Sequence, residues 1–239
     1  MGNRKIMLSL TTTPGSDWRA KVEEIDKLGL KEIALFPTCL EISERKELYA
    51  LLEKTGLKQI PHVHLRNDDM DENELKYFTE KYNTQVFNLH PKAESYDFIE
   101  KHGKYRKMIY VENLYRVINY ELFNEEIFEK YEIAGICLDT AHLKSEQLIF
   151  PENYKERIRM LEKFSIGCNH ISAIMAKSYN WEGVEIFDTH MLSDFSELDY
   201  LKEFPGKYFS DFVSIELENS FEQQLEAKKY IESIINSKK

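Results

Sequence analysis

The stretch Gly135-Ile-Cys-Leu-Asp-Thr-Ala-His142 holds an apolar run that ends in an acid, with a histidine three residues beyond it. A short apolar run of this kind suits a strand buried on both faces, as parallel strands are. The pattern recurs along the chain. Strands are expected at Lys5–Leu10, Glu32–Phe36, Gln59–Leu65, Gln85–Leu89, Lys107–Glu112, Gly135–Asp139, Gly167–Ala173 and Phe212–Glu216. Helical periodicity fills the intervals. Trp18, Val22, Ile25 and Leu28 follow the capping candidates Ser16 and Asp17, and Leu48, Leu51 and Leu52 mark a second helix. Leu75 and Phe78 mark a third, and Pro151 opens one carrying Tyr154, Ile158 and Leu161. The last begins near Ser220 with Phe221, Leu225, Ile231 and Ile234 on one face. Eight strand-then-helix units with no linker predict an α/β protein of one domain over residues 1–239, closed as a parallel (β/α)8 TIM barrel. A doubly wound open sheet is the alternative, and no glycine-rich phosphate loop supports it.

The bulk properties agree. A chain of 239 residues lies in the range of a single barrel, and 42% hydrophobic with 13% aromatic residues can fill a core. The net charge of −10 repels phosphate backbones at long range and disfavours nucleic acid as a partner. Three cysteines form no CxxC pair and are expected as buried, reduced thiols of a cytosolic protein. Ile6–Leu10 is too short for a signal peptide or a membrane span, and Ile at position 6 breaks a myristoylation motif. A cytoplasmic protein without membrane contact is the expectation.

The strand ends carry the chemistry in such barrels. His64, Glu112, Asp139 and Glu216 close their strands; His90 and His142 lie just past theirs; His170 is on the seventh, with Asp188 and His190 in the loop after it. A lone strand-end histidine is usually a hydrogen-bonded core residue. Six consecutive strands ending in metal-capable side chains are hard to attribute to packing, and an unpaired interior carboxylate such as Glu112 is costly. A donor set of nitrogen and oxygen suits zinc, manganese or iron(II). His62 shares the parity of His64 and is expected lower in the barrel, supporting the site or filling the core. His102, in KHGKYRK, reads as part of a solvated helix end. Glu218 shares the parity of Glu216 and could replace it as ligand.

Phe87–Pro91, Tyr110–Asn113, Gly135–His142, His170 and Phe212–Asn219 resemble the xylose isomerase-like barrel superfamily, and the resemblance runs through nearly the whole chain in strand order. That superfamily holds sugar isomerases and epimerases, inosose dehydratases and the endonuclease IV class of abasic-site endonucleases. The resemblance implies a divalent metal held by Glu112, Asp139, His170 and Glu216. NLHP, GICLDTAH and FDTH are further similar to endonuclease IV motifs, and His64 occupies the matching strand-three position. Carried over, His64, His90 and Glu112 would hold one zinc, and Glu112 would bridge to a second held by Asp139, His170 and Glu216. His142, Asp188 and His190 would hold a third.

Clustered zincs suit phosphoester cleavage. The first expectation is therefore a multinuclear zinc phosphoester hydrolase, with Glu112 and Glu216 as its catalytic carboxylates. A single-metal sugar or sugar-phosphate isomerase or epimerase, with the same two carboxylates as acid and base, is the alternative; a non-catalytic barrel that senses a metal is a third. Only Arg19, Arg45, Lys46, Arg66, Lys92, Lys144 and Lys177 are expected near the active face, which favours a small phosphorylated or sugar-like substrate over DNA.

Overall fold

The structure, a computed structural model, describes residues 4–66, 68–114, 122–181 and 183–238, with Trp181 described by its backbone alone. Nine parallel strands pair in the order β1 (Lys5–Met7), β11 (Phe212–Ile215), β8 (Ile166–Ile171), β7 (Ile136–Asp139), β6 (Ile109–Glu112), β5 (Val86–Leu89), β4 (His62–His64), β3 (Ala34–Phe36) and β2 (Ser9–Thr11). β1 and β2 stand at opposite ends of this order, yet only Leu8 separates them in the chain. They are the two halves of the expected first strand: the lower half pairs with β11 and the upper half with β3. The sheet thereby closes into the expected barrel, with one strand serving two neighbours in turn.

The division has a local cause. Above Met7 the first strand no longer pairs with β11, and the Gln224 side chain completes the ladder. Ser9 N–H donates to Gln224 Oε1 (2.8 Å), and Gln224 Nε2 donates to the carbonyls of Ser9, Leu217 and Asn219 (2.9–3.0 Å). A buried glutamine thus satisfies backbone groups that would otherwise lie unpaired.

Outside the barrel run α1 (Trp18–Lys27), α2 (Ile42–Leu52), α3 (Glu72–Tyr82), α4 (Ala93–Lys101), α5 (Glu125–Lys130), α6 (Thr140–Ile149), α7 (Pro151–Lys163) and α8 (Phe221–Ile235). Asp17, rather than Ser16, caps α1 by accepting from Ala20 N–H. Pro151 occupies the first turn of α7 as expected, so the sixth unit carries two helices. Strand residues pointing outward (Leu35, Val63, Phe87, Val111, Leu138, Val213) bury against these helices in one continuous core.

The seventh unit departs from expectation. Where a loop and helix should follow β8, β9 (Ala173–Trp181) and β10 (Val184–Thr189) form an antiparallel hairpin, and 3-10 turns at Phe195–Glu203 and Gly206–Tyr208 replace the helix. No helix among the described residues is long and apolar enough to cross a membrane. Cys137 and Cys168 are buried as expected, but Cys39 is exposed in the segment between β3 and α2. His102 is also corrected: it is buried, its ring 4.4 Å from that of Phe98 one helical turn earlier. Its charged sequence neighbours face solvent while the ring turns inward.

Candidate metal centre

Inward-pointing strand residues change character with height. The lower bore is apolar, lined by Met7, Ala34, Val86, Cys137, Cys168 and Phe212; at the C-terminal ends of the strands the same parity positions become His64, Glu112, Asp139 and His170. Three groups of ligand atoms converge there, each within 4.8 Å: His64–His90–Glu112, Glu112–Asp139–His142 and Asp139–His170–Glu216. Glu112 stands between them. Its Oε2 is 3.2 Å from His64 Nε2 and 3.4 Å from His170 Nδ1; its Oε1 is 3.5 Å from His142 Nδ1 and 3.9 Å from His90 Nε2.

Hydrogen bonds decide which histidine atoms can ligate. His64 Nδ1 lies 2.9 Å from the Leu65 carbonyl, which only accepts, so Nδ1 carries the proton and the neutral ring turns its Nε2 lone pair to His90 and Glu112. His142 Nδ1 lies 3.0 Å from the Asn113 carbonyl and is likewise the protonated nitrogen. Its lone pair is therefore on Nε2, which is 3.7 Å from Asp188 Oδ2. Nearness of His142 Nδ1 to Glu112 and Asp139 is thus not ligand geometry, and His142 belongs chemically with Asp188. Metal-binding histidines characteristically donate their second N–H to a carbonyl in this way.

Other atoms stand ready without a hydrogen-bond partner. Asp139 Oδ2 and both ring nitrogens of His170 are buried and make no hydrogen bond. Glu216 Oε2 is 2.9 Å from His170 Nδ1 but out of line for a hydrogen bond. Orphaned buried carboxylate oxygens and imidazole nitrogens are expensive, and here they face one another around a common point. The residues present therefore fit a bound cation, and a hard-to-intermediate one by their donor chemistry.

The electrostatics agree. Burial pushes Glu112 up to about 7, with Glu216 adding to the rise and His170 opposing it. Burial works against a charge on His170, but the carboxylates of Glu216 and Glu112 hold its proton up to about 10. Glu216 is buried too, yet His170 keeps it well below the usual carboxylate range. Burial lowers His64 to about 4 and raises Asp188 to about 6. A cluster of buried carboxylates, with His170 placed to share its proton among them, suits compensation by a bound cation.

The third expected group is only partly assembled. The β9–β10 hairpin brings Asp188 to α6, where Ser145 Oγ donates to Asp188 Oδ1 (3.1 Å), beside His142. His190, a third exposed, points instead to Glu216 Oε1 at 3.9 Å. Among the described residues, His142, Asp188 and His190 do not gather their ligand atoms within the 4.8 Å that unites the other groups. Glu218, the alternative to Glu216, accepts at Oε1 from both Thr13 N–H and Oγ1 and joins none of the ligand groups among the described residues.

Three site residues escaped the sequence reading. Asn88 donates to Glu112 Oε2 at 2.7 Å. Asn113 clamps Asp139 from both sides, accepting from its N–H (2.8 Å) and donating to its carbonyl (3.0 Å), while its own carbonyl fixes His142. Ser214 bonds His62. The available signal was a polar side chain inside an apolar run, as in Val86-Phe87-Asn88-Leu89, which burial obliges to find a partner. His62 sits a layer below His64 as expected, grouped with Cys137 and His170, and both its ring nitrogens are engaged by Ser214 and Asn88. Of the basic residues expected near this face, Arg19, Arg45, Arg66, Lys92 and Lys144 each pair with a carboxylate, and Lys46 and Lys177 are exposed.

Among solved structures, the chain is similar to a 1.8 Å crystal structure of IolI protein with a binding zinc atom. The two share 16% sequence identity at a TM-score of 0.53, over 98% of this chain and 99% of that one. At this identity the similarity establishes the barrel fold. No protein-family model and no curated protein matches the chain.

Proposed function

We propose that this chain is a divalent-metal enzyme whose barrel mouth holds a multinuclear zinc centre for hydrolysis of a small phosphoester. The observation that carries this reading is the Glu112 carboxylate, which stands between two ligand groups and faces both. His64, His90 and Glu112 would hold one ion, and Glu112, Asp139, His170 and Glu216 a second. Asp188 with Nε2 of His142 would hold a third, completed by His190. Zinc in the structural neighbour supports the choice of ion. Bound there, zinc supplies Lewis-acid polarisation of the phosphoryl oxygens and eases deprotonation of water near neutral pH.

The protein groups supply orientation and proton transfer. Glu216 turns Oε2 to His170 and Oε1 toward His190, so Oε1 faces the opening and can orient an attacking water and take its proton. His90 and His190, each about a third exposed, border the entrance. Most basic residues near the face are already neutralised by carboxylates, which favours a small ester over a long polyanion.

A single-metal isomerase or epimerase is the second reading, favoured by the incomplete third group. In it Asp139, His170, Glu216 and Glu112 hold the one ion, and Glu112 and Glu216 exchange protons with the substrate. Zinc content at saturation, measured on extensively dialysed protein alongside turnover of p-nitrophenyl phosphate and bis-p-nitrophenyl phosphate, separates the two. Two or three equivalents with phosphoester turnover are expected, and His90→Ala should lose one equivalent. One equivalent in the wild type, unchanged in His90→Ala, would sink the hydrolase reading.

A further inference from the structure

A carboxylate shared between two ligand groups must be held against rotation, because the terminal torsion of a glutamate is soft. Glu112 Oε2 accepts from Asn88 Nδ2 (2.7 Å); Asn88 Oδ1 lies 2.9 Å from His62 Nε2; His62 Nδ1 lies 2.8 Å from Ser214 Oγ. All four residues are buried. The direction of each bond follows from chemistry. As a metal ligand Glu112 is ionised and only accepts, so Asn88 turns its NH2 to Glu112 and its carbonyl oxygen to His62. His62 Nε2 is then the donor, and in the tautomer with its proton on Nε2 alone Nδ1 accepts from the Ser214 hydroxyl.

Every donor therefore points the same way, from Ser214 on β11 through His62 on β4 and Asn88 on β5 to Glu112 on β6. β11 and β4 are not neighbours in the sheet, so the chain of bonds crosses the bore of the barrel. We propose that Asn88 is a positioning residue that fixes Glu112 as a shared ligand, itself oriented by this one-way chain from Ser214. The inference rests on Glu112 serving as a metal ligand. Asn88 occupies one lone pair of Oε2 and locks the carboxylate plane, which leaves Oε1 directed toward His142 and His90. Low dielectric strengthens each link and makes a broken one costly.

Cobalt(II) is the probe, titrated into metal-free wild type, Asn88→Leu and Ser214→Ala, with its visible absorption band and the thermal unfolding of each metal-free protein recorded. Asn88→Leu should weaken at least one cobalt equivalent by about 10- to 100-fold and alter its absorption band. Loss of packing alone would lower the unfolding temperature without moving either reading. If Asn88→Leu does not fold, Ser214→Ala decides: it removes only the far hydroxyl and should weaken the same equivalent by a smaller factor. Wild-type cobalt affinity with an unaltered band in the deciding variant overturns the proposal. A wild type that takes up a single cobalt ion instead sinks the multinuclear reading, and the effect of Asn88 is then read on that ion.

Discussion

Loading the first two ligand groups should release protons, and two buried side chains set the number. A ligand gives up its proton before a cation can use the lone pair. In the cation-free protein Glu216 and Glu112 hold the His170 proton up to about 10 in spite of burial, while burial raises Glu112 to about 7. His64, lowered to about 4 by burial, is already neutral and has nothing to release. From His170 and Glu112 together, binding should expel about one proton at pH 8 and about two at pH 6, where Glu112 also starts protonated. Both protons compete with the cation, so affinity rises with pH. Between pH 6 and pH 8, His170 contributes about two decades and Glu112 about one, roughly a thousand-fold in all.

Calorimetric titration of zinc in buffers of differing ionisation enthalpy counts these protons directly. At pH 8 the wild type should release about one. No proton release from the wild type at pH 8 would refute the assignment of His170 as a ligand protonated in the empty centre.

Two further outcomes concern the frame of the site. Gln224→Leu strands the buried N–H and carbonyl of Ser9 and should cost about 3 kcal/mol, lowering the unfolding temperature by roughly 6–12 °C; a shift within 2 °C, read by differential scanning calorimetry, would show that the barrel closes without it. Lys21 is buried and its ammonium pushed down to about 8 by desolvation, against the pull of Glu218 and Glu24. The folded protein thus binds this proton more weakly than the unfolded chain, so stability is lost as pH falls through 8 and regained toward 10.5. Wild type should gain about 2 kcal/mol on Lys21→Met between pH 7 and pH 10 in urea unfolding, and parallel pH profiles would contradict it.

Strand positions were legible because a parallel barrel strand is buried on both faces and reads as an unbroken apolar run. Its functional end shows where that run stops at a histidine or carboxylate, as at Glu112 and Asp139. The division of the first strand at Leu8 was not legible, since Gln224, more than 200 residues away, supplies the missing ladder bonds. The hairpin after β8 left a faint mark in Asn180 and Gly183: Asn180 Oδ1 accepts from Gly183 N–H, and Gly183 has a φ of 88° that favours glycine. His102 misled because its neighbours are charged, while its own ring is buried beside that of Phe98.

The partition of ligands among ions depends on atoms that sequence does not specify. Distance alone groups His142 with Glu112 and Asp139, but its Nδ1 proton is committed to the Asn113 carbonyl. Asn113 also fixes the Asp139 backbone, so one asparagine both sets that carboxylate in place and turns the lone pair of the neighbouring imidazole away from it. His142 Nε2 stands 3.7 Å from Oδ2 of Asp188, which the hairpin carries. The hairpin pairs irregularly between Ile186 and Asp188, and His190 just beyond it faces Glu216 rather than His142. The first two ligand groups are therefore built on barrel strands, where packing fixes them. The third depends on an excursion from the barrel, and its completion turns on whether that segment draws His190 toward Asp188.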